Sequence, residues 1–193
     1  MDNTIKRSAY HESGHAVMGF FVGYNINRIE VASTGDGVTE IDYAEDLLLC
    51  TALLNLSEPE LINSLPSQTK QNIPVTADKL IYVLTGGPIA EALFIQGFDF
   101  VGQLEIELSG PDLIRCESID SFLAHYLPEH PINSLEGMLK KASEILKLNI
   151  FKRTIDSLAD NLLQSGDLKL DKNRIESIIT CTGFKAYIDS FFK

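Results

Sequence analysis

The sequence contains few cysteines, and none of them form a closely spaced pair. Its 3 cysteines, Cys50, Cys116 and Cys181, lie far apart in a chain of 193 residues. An odd and sparse set of this kind argues against a disulfide framework and against a zinc site built from thiolates. It is typical of a protein in a reducing compartment, so we expect a cytoplasmic location.

Positive charge and long apolar runs are also scarce. The 16 lysines and arginines are outnumbered by 27 aspartates and glutamates, which gives a formal net charge of -11. An acidic surface repels phosphate groups, so nucleic acids and anionic membranes are poor partners. The apolar runs at residues 16–23 and 47–54 are far shorter than the roughly 20 residues that a membrane-spanning helix needs. No membrane span is therefore predicted.

The overall composition is that of an ordinary globular protein. Hydrophobic residues make up 45% of the chain and charged residues 22%, which is enough apolar material for one good core. The sequence has no internal repeat, no low-complexity segment and no linker. We therefore expect residues 1–193 to form a single domain.

Hydrophobic periodicity predicts a mainly α (α+β) fold with a small β-hairpin. The first predicted helix covers residues 1–23, with Asn3 or Thr4 as its N-cap. Residues 26–34 and 38–43 are rich in β-forming side chains and flank a Thr-Gly-Asp-Gly turn, which indicates a hairpin. Residues 104–108 could add a third strand.

The remainder of the chain is predicted to be helical. Thr76 is expected to cap a helix that runs towards Gly97, with a kink or break at residues 86–88, Gly-Gly-Pro. Further helices are expected from residue 109 to about 127, and over residues 134–164 as one helix or two. A penultimate helix capped by Asp171 is separated by Gly183 from a short last helix.

Residues 11–15, His-Glu-Ser-Gly-His, have the pattern H-E-x-x-H inside the first predicted helix. The spacing places His11 and His15 one turn apart on one face, where both imidazoles can bind one zinc ion. Glu12 can then take a proton from a water that the metal activates for attack on a carbonyl. Gly14 leaves room for another backbone or a substrate to come close. The competing interpretation is a solvated polar stripe with both histidines idle.

A catalytic zinc ion needs a third protein ligand, and the motif supplies only two. The residues by themselves leave five candidates open: Glu91, Asp112, Glu117, His125 and His130.

Four stretches resemble segments of the FtsH-type zinc metalloproteases, in the same order. Residues 9–16, Ala-Tyr-His-Glu-Ser-Gly-His-Ala, are similar to the family signature A-Y-H-E-A-G-H-A. Residues 84–94 resemble L-x-G-G-R-A-A-E-E-L-I, and residues 109–113 resemble S-G-A-x-x-D-L. Residues 162–178 resemble the closing L-L-x-x-x-x-L-D segment and the helix after it. The resemblance spans nearly the whole chain, although only the first segment is specific by itself.

The resemblance implies a helical metalloprotease domain with a short sheet beside the zinc-binding helix. It implies that Asp112 is the third zinc ligand. The alternative is that Asp112 only stabilises the start of a helix, where its carboxylate faces the positive end of the helix dipole. Glu91 could orient a ligand histidine, or be an ordinary surface residue. The family also implies polypeptide substrates and protease domains assembled into rings, so a homo-oligomer is possible.

The chain departs from the family pattern in several places. Pro88 stands where the family has arginine, and the segment before Asp112 is two residues shorter. Asp36, Glu40 and Asp42 occupy a strand region that is usually apolar and rich in glycine. The sequence also lacks the G-x-x-x-x-G-K-[ST] motif, so we expect no ATP hydrolysis, and a separate AAA unfoldase would have to deliver folded substrates.

Three functions follow from these observations. The first is a zinc-dependent endopeptidase that cleaves peptides or unfolded polypeptides bound beside residues 31–38. The second is a catalytically silent scaffold that binds protease subunits or clients. The third is a metallopeptidase of another group that uses Glu91 as a ligand. An intact Glu12 favours the enzymes, because a scaffold needs no base.

Overall fold

The computed structural model describes residues 2–98, 110–128 and 134–191. The structure is mainly helical with a small antiparallel sheet, as predicted. In chain order the elements are α1 (Asn3–Phe21), β1 (Asn25–Val31), β2 (Gly37–Asp42), α2 (Leu47–Leu54), α3 (Pro59–Ser64), α4 (Ser67–Lys70), α5 (Ile73–Gln96), α6 (Pro111–Tyr126), α7 (Leu135–Leu146), α8 (Asn149–Gln164), β3 (Lys169–Asp171), α9 (Lys172–Cys181) and α10 (Phe184–Phe191). None of the described helices is both long and apolar enough to cross a membrane.

The N-cap of helix α1 lies before both of its predicted caps. Asp2 is the N-cap, and its side chain accepts a hydrogen bond from the backbone N–H of Thr4 at 3.1 Å. The predicted caps Asn3 and Thr4 are therefore wrong. Both residues already belong to the first turn of the helix, and the carboxylate of Asp2 accepts from a backbone N–H that has no partner within the helix. The helix ends at Phe21, just before Gly23, as the sequence predicted.

The sheet has the strand order β2-β1-β3, with both pairs antiparallel. The hairpin of β1 and β2 confirms the prediction from the Gly-rich turn. The third described strand is β3, which was not predicted as a strand; residues 104–108 lie outside the described residues. Asp171 ends β3 and also caps α9, since its side chain accepts from the backbone N–H of Arg174 at 2.9 Å.

Helix α5 differs from its prediction in two ways. It begins at Ile73 after Asn72, so Thr76 is a buried helical residue and not a cap. It also continues through residues 86–88 without a break, although Pro88 removes one backbone donor from the helix. At this level α5 packs against α1: a Cβ on Gly14 would lie 2.2 Å from the carbonyl oxygen of Gly86. Close contact with α1 keeps residues 86–88 helical, although glycine and proline disfavour a helix.

The later helices follow their predictions closely. Residues 134–164 form two helices, α7 and α8, and Gly183 separates α9 from α10. Two hydrophobic clusters make up the core. The first joins α1, β1, α8 and α9 to the C-terminal half of α5, and the second joins α2 and α6 to its N-terminal half. Residues 86–88 therefore lie where α5 passes from one cluster to the other, and the candidate site is at this level.

Candidate metal centre

The H-E-x-x-H residues of α1 line a cleft of about 670 Å³. The cleft is lined by residues of α1, β2, α2, α5 and α6. His15 and Glu12 are buried, with 8% and 6% of their surfaces exposed, while His11 is half-buried. The idle, solvated stripe considered for these side chains does not describe this arrangement.

Three donor atoms, two from α1 and one from α6, converge in the cleft. Nε2 of His11 lies 3.0 Å from Nε2 of His15. Oδ2 of Asp112, in the first turn of α6, lies 3.2 Å from the former nitrogen and 3.3 Å from the latter. Within the described residues, this is the group of histidines and carboxylates that could hold a metal ion. The short segment before Asp112 therefore does not keep its carboxylate from the histidines.

Each imidazole is oriented through its other nitrogen. Nδ1 of His15 lies 2.8 Å from the carbonyl oxygen of Val83, which can only accept a hydrogen bond. Nδ1 of His11 lies 3.0 Å from Oε2 of Glu91. With Nδ1 donating in both rings, both Nε2 atoms can present a lone pair to a metal.

Glu91 lies behind His11 and not among the three converging atoms. Its Oε1 accepts from Arg7, at 2.7 Å from Nε and 2.6 Å from Nη2. The carboxylate thus links the exposed Arg7 to Nδ1 of His11, which is the orienting role considered from the sequence. Glu117 and His125, the other described candidates for a third ligand, are exposed on α6. His130 lies outside the described residues.

Gly87 provides the space that the imidazoles occupy. A Cβ at this position would lie 2.3 Å from Nε2 of His15 and 2.7 Å from Nε2 of His11. A side chain here would therefore push directly on both donor atoms. The sequence pointed to Gly87 as a helix breaker and as part of the family-like segment 84–94, but nothing local reveals that two histidines of another helix pack against it.

Strand β2 covers Glu12. Oγ1 of Thr39 lies 2.7 Å from Oε2 of Glu12 and 2.9 Å from its backbone carbonyl oxygen. A Cβ on Gly37 would lie 2.5 Å from Oε1 of Glu12. Neither β2 residue was predicted to contact Glu12, because the spacing along the chain contains no signal for such a contact.

Opposite charges stabilise the cluster in the absence of a metal. Burial by itself would lower the pKa of His11, but hydrogen bonds with Asp112 and Glu91 outweigh it and raise the pKa from 6.5 to about 9. Burial would raise the pKa of Asp112, whereas its hydrogen bonds with His11 and His15 hold the pKa well below the usual range. The hydrogen bond with His11 is also the main reason that the pKa of Glu91 is lowered.

Asp112 also contacts a cation on its other side. Nη1 of Arg115, one helical turn further along α6, lies 3.5 Å from Oδ1 of Asp112. Asp112 lies in the first turn of α6, where the helix dipole favours a negative charge. The helix-dipole role considered for Asp112 from the sequence is therefore compatible with its contacts to the histidines. Oδ2 faces the imidazoles, and Oδ1 faces Arg115.

The chain matches none of the family models with which it was compared, and none of the curated proteins.

Proposed function

We propose that the protein is a zinc-dependent endopeptidase with His11, His15 and Asp112 as metal ligands. The convergence of Nε2, Nε2 and Oδ2 at 3.0–3.3 Å carries the proposal. Donor atoms about 2.0–2.1 Å from a tetrahedral zinc ion lie roughly 3.3 Å apart. The observed spacing therefore suits this ion without rearrangement of the backbone.

The donor set also supports a catalytic site over a structural one. Two imidazoles and one carboxylate are ligands that zinc accepts, and three protein ligands leave a fourth position open. The open cleft beside the ligands gives a substrate access to that position. When bound, zinc would act as a Lewis acid towards the carbonyl and acidify a water molecule.

Glu12 is the general base in this proposal. Its carboxylate is buried and lines the same cleft as the ligands. It takes a proton from the attacking water and delivers it to the amine nitrogen that leaves when the peptide bond breaks. His11 and His15 stay in place during this transfer because Glu91 and the Val83 carbonyl hold their Nδ1 atoms.

The substrate would be an extended polypeptide that lies along β2. Among the described strands, β2 pairs only with β1, so its other edge pairs with no described strand, and residues of β2 line the cleft. An extended peptide can add to such an edge through backbone hydrogen bonds, with little dependence on its side chains. Val38 is 45% exposed on this strand and can contact the peptide.

Cleavage of folded substrates would require a partner. No Gly-rich nucleotide motif is present in the sequence, and a separate AAA unfoldase would supply the energy for unfolding. Assembly of this chain into a homo-oligomeric ring, which the resemblance to the FtsH-type proteases implies, remains a prediction.

The proposal is tested by zinc content and cleavage measured on the same preparations. We expect about one zinc ion per chain and cleavage of casein or of an unstructured peptide. Glu12→Gln should keep the zinc and reduce kcat by about a hundredfold or more, because it removes the base. Glu117→Gln, which changes an exposed glutamate of α6, should affect neither.

Two results would contradict the proposal. Absence of bound zinc after metal reconstitution would remove the metal site. One zinc ion per chain with no cleavage of any unfolded substrate would favour the silent scaffold.

A further inference from the structure

The hairpin is fastened to α1 along the side of the helix that carries Glu12. At its turn, the hydroxyl of Ser8 donates to the carbonyl oxygen of Gly35, and a Cβ on Gly35 would lie 2.6 Å from Cγ2 of Thr4. Further along, Thr39 contacts both the backbone and the side chain of Glu12. The position of β2 over Glu12 is therefore fixed by contacts at the turn and at Glu12 itself.

The Thr39 hydroxyl has one hydrogen to donate and two acceptors within reach. The carboxylate Oε2 is nearer, at 2.7 Å against 2.9 Å for the carbonyl oxygen. A charged acceptor forms the stronger hydrogen bond, so the hydrogen goes to Oε2 when Glu12 is ionised. One oxygen of the base is thereby occupied and held in place.

Gly37 confines the other oxygen. A Cβ at this position would lie 2.5 Å from Oε1 and 2.6 Å from Cγ of Glu12. The backbone of β2 thus packs directly against the carboxylate, which is possible only because residue 37 has no side chain. A glutamate side chain otherwise has three freely rotating bonds, and both contacts restrict them.

We infer that Thr39 is a positioning residue for the general base. Its hydroxyl holds Oε2 of Glu12, while Gly37 sets the plane of the carboxylate, so that Oε1 is the oxygen that takes the proton. The inference rests on the proposed function and adds that β2, the strand along which the substrate would lie, also orients the base.

The test compares Thr39→Val with Thr39→Ser. Valine has the shape of threonine without the hydroxyl, and serine keeps the hydroxyl. We expect Thr39→Val to lower kcat by about tenfold to a hundredfold, the range that corresponds to losing one hydrogen bond to a charged group. KM and zinc content should change less than about twofold, and Thr39→Ser should recover most of kcat. Thr180→Val, which removes an exposed hydroxyl on α9, is the matched control.

Two further measurements separate positioning from a structural role. In the Glu12→Gln background, Thr39→Val should change the residual rate by less than about twofold, because no base is left to position. The two substitutions should also be non-additive in the free energy of unfolding, which reports their contact without any catalysis. Additive effects on both quantities would overturn the inference.

Failure of the inference differs from failure of the proposed function. If the protein cleaves peptides and Glu12→Gln abolishes cleavage, but Thr39→Val raises KM and leaves kcat unchanged, Thr39 is a peptide contact and the inference is wrong. If neither the unaltered protein nor any variant cleaves, the proposed function is wrong, and the inference falls with it.

Discussion

Two adjacent glycines of α5 face two different regions of the molecule. Gly86 packs against the backbone of α1 at Gly14, where a Cβ on either residue would meet the other's carbonyl oxygen at 2.2 or 2.6 Å. Gly87 faces the cleft, where a Cβ would meet the imidazoles of His11 and His15. The first region is a close contact between two backbones, and the second is a polar site occupied by side chains.

The comparison separates two uses of the same residue type. In the backbone contact nothing can move aside without separating the helices, so the absence of a side chain determines whether α1 and α5 can pack. In the cleft the neighbours are side chains that can rotate, so the absence of a side chain determines where the donor atoms lie. Gly14 and Gly86 are therefore needed for folding, and Gly87 is needed for the geometry of the site.

Gly14→Ala should produce the largest effect, and it acts on folding. The new methyl group would overlap the Gly86 carbonyl, and we expect a loss on the order of 3 kcal/mol in the free energy of unfolding. Chemical denaturation measures this quantity. Gly166→Ala is the matched control, because a Cβ there meets nothing within 4 Å. A loss below about 1 kcal/mol for Gly14→Ala would mean that α1 and α5 can separate easily.

Gly87→Ala should have a smaller effect, and it acts on the site. The methyl group would displace Nε2 of His15 and of His11, and we expect zinc affinity to fall by about tenfold to a hundredfold. Competition with a chelator of known affinity measures it. The free energy of unfolding of the metal-free protein should fall by less than in Gly14→Ala. Equal losses in the free energy of unfolding for Gly87→Ala and Gly14→Ala would mean that Gly87 is also needed for folding, which would contradict the comparison.

A change of pH should act on the cleft through His11, Asp112 and Glu91, with the smallest effect of the three. In the metal-free protein the pKa of His11 is raised to about 9, so its stabilising contribution is complete below pH 6.5 and is lost as the pH rises through about 9. The pKa values of Asp112 and Glu91 are lowered, so their contribution is lost as the pH falls below about 4. The metal-free protein should be most stable between about pH 5 and 6.5.

Denaturation of the metal-free protein at pH 6 and pH 9.5 measures the alkaline loss, which should be on the order of 1–2 kcal/mol after solvent screening. His11→Gln should remove the part of the loss that His11 contributes, whereas the part that comes from the buried thiols of Cys50 and Cys116, whose pKa values burial raises, should persist. Zinc-loaded protein should not show the His11 part, because metal binding already requires the neutral imidazole. A loss of equal size in His11→Gln would assign the effect to another group.

The sequence allowed much of the fold to be predicted, and the errors have local causes. The hairpin followed from its Gly-rich turn, and the cap at Asp171 followed from its residue type. Of the kink or break expected in α5, the break was wrong because Pro88 and its glycines were judged as isolated residues, whereas α1 packs against the glycines. Strand β3 was missed because a segment of 3 residues has too little pattern to stand out; its neighbour β1 makes it a strand.

The candidate site also combines features that local spacing predicts with features that depend on long-range packing. The i, i+4 spacing of His11 and His15 is a property of any α-helix, so the sequence by itself determined that the two imidazoles share a face. Asp112 is 101 residues from His11, and the resemblance to a protease family, not the spacing, selected it from five candidates. That its carboxylate reaches both histidines is a result of how α6 packs against α5.

The amino-acid sequence alone is enough to specify the helix with its two histidines and the glutamate between them, because helix geometry depends on nearby residues. Long-range packing specifies the partners that surround them: the Val83 carbonyl behind His15, the Glu91 carboxylate behind His11 and the Thr39 hydroxyl on Glu12. These partners come from other elements. Their positions depend on the packing of two hydrophobic clusters against α5, and no spacing along the chain encodes that packing.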